Sequence, residues 1–177
     1  NGEVDRLAEG LRISRVAALA LVNRGFNEPR RAMDFLQPKL NDLVDPCECE
    51  AMAAAAAFLA KAAREGKNIA IYGDYDADGI CASALLERCF RFLGNPARLY
   101  IPRRVEKRYG LNHDAIQELA DDGTDVIVTV DCGVCSTEEV NYAHELGMEM
   151  VITDHHEPQD ELPDTPYVLN PKLDTCN

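Results

Sequence analysis

With 177 residues, 46% of them hydrophobic, the chain is long enough for one domain with a real core, or for one domain plus a small helical appendage. Its apolar stretches fall far short of a membrane span and no polar repeat signals disorder, so a soluble globular protein is expected. A formal charge of -13, from 18 basic and 31 acidic residues, speaks against a surface that wraps nucleic acid nonspecifically, because phosphate contacts need a positive face.

Residues 3–45 alternate short amphipathic helical patterns with turn signals such as Asn27-Glu28-Pro29 and Gln37-Pro38, and hold no convincing strand. They read as a helical lead-in covering residues 1–49, with neither a signal nor a transit peptide expected at its start. The alanine-rich stretch from Glu50 to Glu65 has very high helix propensity and is stopped by Gly66. Beyond it the pattern changes. Strands are predicted at 68–72, 97–101, 125–130, 149–152 and 167–169, and helices at 80–93, 113–121 and 137–146. Repeated β-α units of this length imply an α/β fold, a doubly wound and mostly parallel sheet over residues 50–177 with helices on both faces.

Seven cysteines, an odd count in a chain of ordinary size, suggest reduced thiols and a cytoplasmic location. Cys132 and Cys135 form a C-x-x-C, but no flanking aromatic or proline supports redox use, and pairing with Cys47 and Cys49 in a zinc site is weakly specified. Small buried thiols are the simpler reading. The stretch PRRVEKRYG, residues 102–110, carries four basic side chains against one acidic and is a candidate phosphate-binding loop, although a charge run is usually only a solvated one.

In an open parallel sheet, ligands bind beyond the carboxyl ends of the strands. Three strand ends stand out: Asp74-Tyr75-Asp76-Ala77-Asp78 after the first, Asp131 after the third, and Asp154-His155-His156 after the fourth. The first imitates the opening of an EF-hand, with carboxylates at its first, third and fifth positions and glycine at the sixth. Its twelfth position is Leu85, however, and the preceding segment reads as a strand. Each acidic group alone has a plain structural explanation; Asp78, for instance, could N-cap a helix starting near Ile80. Five Asp and two His gathered at one sheet edge would repel one another without cations. Carboxylates with imidazole suit Mn²⁺, with Mg²⁺, Co²⁺ or Zn²⁺ as competitors. Two such ions would activate water and neutralise a phosphoryl centre.

The segments GDYDADG (73–79), VDCG (130–133) and TDHH (153–156) resemble the first three motifs of the DHH phosphoesterase superfamily. The helical lead-in, IPRR and YGL within 101–111, and LNPK (169–172) extend the likeness over nearly the whole chain, toward a single-strand-specific 5′-to-3′ DNA exonuclease of repair and recombination. By position, the resemblance implies that Asp76, Asp78, Asp131 and His155 are metal ligands, with Asp131 the bridge between two ions. Asp74 is implied in the first or second shell, and Asp154 orienting the histidine pair. His156 would face the scissile phosphate as an electrophilic or proton-donating group, and Arg103, Arg104 and Lys107 would contact the DNA backbone. Single-stranded DNA is the implied partner, with a helicase and a single-strand-binding protein implied by family only. Arg108 stands where the family usually has glycine, and Cys132 where asparagine is frequent. A fourth-motif Asp ligand and a glycine-rich second domain, which complete such enzymes, do not occur before Asn177, so weak metal binding and little cleavage are expected of these 177 residues. The rival readings are a DHH phosphodiesterase of short oligonucleotides or cyclic dinucleotides, and an inactive nucleic-acid-binding relative.

Overall fold

The computed structural model describes residues 2–102 and 110–173, in two compact units, Asn1–Asp45 and Pro46–Asn177. In the first, α1 (Gly2–Leu11), α2 (Arg15–Val22) and α3 (Pro29–Leu36) bury Val4, Leu7, Ala8, Ala18, Leu21 and Ala32 in a small core. Local chemistry starts two of these helices. Ser14 accepts a hydrogen bond from the Ala17 amide at 3.2 Å, and Pro29 occupies the first turn of α3, where its missing N–H costs nothing.

The second unit holds α4 (Glu50–Arg64), β1 (Ile69–Gly73), α5 (Ala77–Phe92), β2 (Arg98–Tyr100), α6 (His113–Asp121), β3 (Val126–Val130), α7 (Thr137–Glu145), β4 (Glu149–Thr153) and β5 (Val168–Leu169). The five strands form a parallel sheet in the order β2-β1-β3-β4-β5. Every residue of β1 and β3 is buried, as central parallel strands covered on both faces require. Alternation along the strands divides the core. Ala70, Tyr72, Ile127, Met150 and Ile152 pack with Ile116, Leu119, Val140 and Ala143 of α6 and α7. Ile69, Ile71, Val128, Val130 and Val151 form the opposite layer with Ala55, Ala62, Leu86 and Phe90 of α4 and α5.

β1 and β3 are neighbours, while β2 lies on the outer side of β1, so strand addition reverses direction between them. The crevice at the carboxyl ends of β1 and β3 is therefore the topological switch point, where open α/β sheets take their ligands. The expected elements form with ends shifted by a few residues at most. The main difference is α5, which begins at Ala77 rather than Ile80. Asp76 is its N-cap, accepting from the Gly79 amide at 3.1 Å, and Asp78 lies inside the first turn instead of capping it.

Candidate metal centre

Three loops converge on the switch point. The ladder between β1 and β3 continues one residue past β1, where the Asp74 amide donates to the Val130 carbonyl at 3.1 Å. Asp74 is buried, and its carboxylate turns back to accept from the Tyr75 amide at 2.6 Å. The next turn is compressed: a Cβ placed on Gly79 would lie 2.7 Å from the Asp74 carbonyl oxygen. Glycine at this position thus lets the start of α5 approach the strand end, placing Asp76 and Asp78 beside the helix N-terminus, which favours negative charge.

Asp131 follows β3 with φ of 66°, in the left-handed region that side chains other than Asn and Asp rarely enter. Its amide donates to the Thr153 carbonyl at 2.9 Å. Beneath it two threonines stitch β3 to β4: the Thr153 hydroxyl donates to the Thr129 carbonyl at 2.7 Å, and the Thr153 amide donates to the Thr129 hydroxyl at 3.2 Å. These bonds sit just past the last regular pair, Val128 with Val151.

After β4, Asp154 folds inward, its side chain 2% exposed, and becomes the hub of the histidine loop. One oxygen accepts from the Val134 amide at 2.9 Å. The other accepts from the His155 amide at 2.7 Å and the His156 amide at 3.0 Å, and pairs with His156 Nδ1 at 2.7 Å. Burial alone would raise the Asp154 pKa, but these donors outweigh it and hold the carboxyl below its usual range. The bond to Asp154 in turn raises the His156 pKa. It also commits Nδ1, so Nε2 is the nitrogen through which the ring can act on a substrate.

Ligand-capable atoms of Asp74, Asp76 and Asp131 all lie within 4.8 Å of one another, and so do those of Asp131, His155 and His156. Asp131 belongs to both groupings. His155 Nε2 is 2.8 Å from Asp131 Oδ1 and 3.7 Å from Asp78 Oδ2, which leaves Asp78 at the margin of the cluster. The second Asp131 oxygen, Oδ2, is buried without a hydrogen-bond partner among the described residues. Burial and then the charges of Asp78 and Asp76 raise the Asp131 pKa, against the opposing pull of the two histidines. An orphaned carboxylate oxygen among mutually repelling carboxylates and imidazole is a donor set that suits a hard or borderline divalent cation. Asp76 is held below the usual carboxylate range, first by a hydrogen bond with Asp78 and then by the Gly79 amide.

A cleft of about 890 Å³ adjoins the cluster, with Asp78, Asp131, Asp154 and His155 among its lining and Met52, Leu85, Leu86 and Leu169 forming much of its wall. The candidate phosphate-binding residues Arg103, Arg104 and Lys107 lie outside the described residues. Cys132 is buried and donates to the Tyr72 carbonyl, while Cys135 donates to the Glu157 carbonyl, so the C-x-x-C thiols serve different partners. One contributor had no assigned role in the sequence reading. Asn170, 1% exposed, donates from Nδ2 to the His156 carbonyl at 2.9 Å. Only the tertiary placement of β5 beside β4 brings it there, and a lone Asn after a short strand carries no signal of it.

Residues 68–177 match the DHH family, N-terminal domain. The chain is 38% identical over 174 residues to the single-stranded-DNA-specific exonuclease RecJ of Bacillus subtilis, covering 98% of this chain and 22% of that protein. Among solved structures, RecJ of Thermus thermophilus in complex with Mn²⁺ superposes with a TM-score of 0.69 at 32% identity, over 96% of this chain and 23% of that one. An exonuclease RecJ bound to manganese gives 0.64 at 39% identity, over 68% of this chain and 31% of that one. The chain thus spans less than a third of the length of these relatives.

Proposed function

This chain belongs to the DHH family, and on that premise we propose that it is the N-terminal part of the catalytic core of a 5′-to-3′ single-stranded-DNA exonuclease that hydrolyses phosphodiester bonds with two divalent ions, Mn²⁺ foremost. One observation carries the reading: among the described residues, Asp131 is common to the two close groupings of ligand-capable side chains and keeps a buried oxygen with no hydrogen-bond partner. In this reading Asp131 would be shared between the two ions, with Asp74, Asp76 and Asp78 able to hold one and His155 the other. When bound, the ions supply Lewis acidity at the phosphate and a hydroxide nucleophile at neutral pH.

The chain's own groups do the rest. Asp154 holds His156 by Nδ1, so that Nε2 can meet a phosphate oxygen or give a proton to the departing 3′ oxygen. In the metal-free site the bond to Asp154 raises the His156 pKa, the direction a proton donor needs. Arg103, Arg104 and Lys107 would hold the strand by its backbone phosphates, adding affinity without sequence preference. The cytoplasm and a role in DNA repair and recombination are part of the same reading, by kinship with the RecJ exonucleases.

The test digests 5′-phosphorylated single-stranded DNA, long duplex and dinucleotides with the longer protein and Mn²⁺. Degradation of the long single strand, abolished by Asp131→Ala, is the expected outcome. Full activity in that variant, or cleavage confined to dinucleotides, refutes the assignment.

A further inference from the structure

We infer that Asn170 is a positioning residue for His156, setting the catalytic ring through the backbone of the histidine loop; the inference rests on the function proposed above. β5 pairs with the last residues of β4, Ile152 with Val168 and Thr153 with Leu169, and the Asp154 amide then donates to the Leu169 carbonyl at 3.0 Å. β5 therefore runs alongside the segment entering the histidine pair. Its next residue is Asn170, at the head of a tight turn, Asn170-Pro171-Lys172-Leu173, closed by the Leu173 amide donating to the Asn170 carbonyl at 3.0 Å. Asn at the first position and Pro at the second are the residues such a turn prefers.

Both ends of the Asn170 amide are used. Oδ1 accepts from the Lys172 amide at 2.9 Å, the usual way an Asn braces its own turn. Nδ2 reaches across to the His156 carbonyl at 2.9 Å. The orientation is set by its partners: a flipped amide would put NH₂ against an N–H and oxygen against a carbonyl. His156 is consequently held on three sides. Asp154 takes its amide and Nδ1, and Asn170 takes its carbonyl, so the peptide after the ring cannot rotate without losing a buried bond. Beside it Lys172 Nζ pairs with Glu157 Oε2 at 2.7 Å, the residue that carries the chain out of the histidine pair. A buried Asn serving only its own turn would not need its donor aimed at His156.

The deciding substitutions are Asn170→Asp, which keeps the acceptor for Lys172 but turns a carboxylate oxygen toward the His156 carbonyl, and Asn170→Ala, which removes the donor without adding charge. Thr165→Val is the matched control: it removes the hydroxyl bond to the Met150 carbonyl at the other end of the β5 segment and touches neither histidine. In this chain without metal, all three variants lower the melting temperature, but only the two Asn170 substitutions shift the ring nitrogen resonances of His156, with His113 and His144 unmoved. In the longer protein Asn170→Asp lowers kcat about tenfold at unchanged KM for single-stranded DNA, the usual scale for a group behind a catalytic residue, and Thr165→Val leaves kcat unchanged. Unchanged His156 resonances in Asn170→Ala, with the same melting shift as the control, overturn the inference. Failure of the exonuclease reading is seen separately, as full activity of Asp131→Ala, and leaves the resonance result standing on its own.

Discussion

Gly79→Ala tests how the first strand end is built. The added methyl would lie 2.7 Å from the Asp74 carbonyl oxygen, 2.8 Å from its Cβ and 2.9 Å from its carbonyl carbon. None of these is the far end of a flexible side chain, so relief requires α5 to move away from β1 by about 0.7 Å, back to ordinary contact distance. Overpacking of this kind costs about 3 kcal/mol at its upper range, and alanine in a helix returns at most about 1 kcal/mol. The net loss of about 2 kcal/mol corresponds to a fall of about 4–8 °C in melting temperature. Gly73→Ala provides the contrast. Its methyl would meet the Ser83 hydroxyl at 2.0 Å, and that oxygen is buried without a hydrogen-bond partner among the described residues. Removing it in Gly73→Ala/Ser83→Ala leaves Ser83 Cβ at 3.2 Å and restores most of the stability, whereas Gly79→Ala/Ser83→Ala recovers nothing. Calorimetric melting of the four variants reads the pattern directly. A Gly79→Ala chain as stable as the parent would refute close approach to Asp74 as the reason for the glycine.

Asp154→Ala strips the acceptor from three backbone amides and from His156 Nδ1, so chemical denaturation should show a loss of about 3 kcal/mol, more than any surface carboxylate in this chain. Tyr72→Phe keeps the stack on Tyr100 but removes the hydroxyl that donates to the Gly110 carbonyl and accepts from Asn112; a loss of about 1–2 kcal/mol is expected, less than additive with Asn112→Ala in a double-mutant cycle. Mn²⁺ at a hundredfold excess over its dissociation constant should stabilise the longer protein by about 2.7 kcal/mol, seen as a thermal shift that chelation reverses and His155→Ala reduces.

The strand ends were legible because two periodicities and one topological rule locate them: buried runs of five residues, helices between them, and ligands at the carboxyl edge. The carboxylates and imidazoles that the structure gathers, Asp74, Asp76, Asp131, His155 and His156, all stand in the first few positions after such runs. The start of α5 was misplaced for a physical reason. Gly79 reads as a helix breaker when only propensity is considered, yet it is a helical residue chosen for its missing side chain, and the helix starts three residues earlier than expected, capped by Asp76 rather than Asp78. The roles of Asn170 and of the Val134 amide were illegible, because each depends on a hydrogen bond across the sheet between loops at least 14 residues apart. No local pattern encodes that distance.

Asp131 combines two requirements that substitutions can separate. Its backbone needs the left-handed conformation that lets its amide reach Thr153, and its side chain supplies the carboxylate shared by both groupings. Asp131→Ala loses both, with the conformation alone costing about 1–2 kcal/mol. Asp131→Gly keeps the backbone and loses the acid. Asp131→Asn keeps the backbone tolerance and the shape while removing the charge, which in the absence of metal is opposed by burial and by Asp78 and Asp76. The metal-free melting temperatures should therefore rank Asn at or above the parent and Ala lowest, because the repulsion that raises the acid's pKa is a cost to the folded chain that Asn does not carry. The Mn²⁺ shift in the longer protein should vanish in all three. If Asn melts well below the parent without metal, the carboxylate is stabilising the loops rather than waiting for a cation, and the bridging role given to Asp131 fails with it.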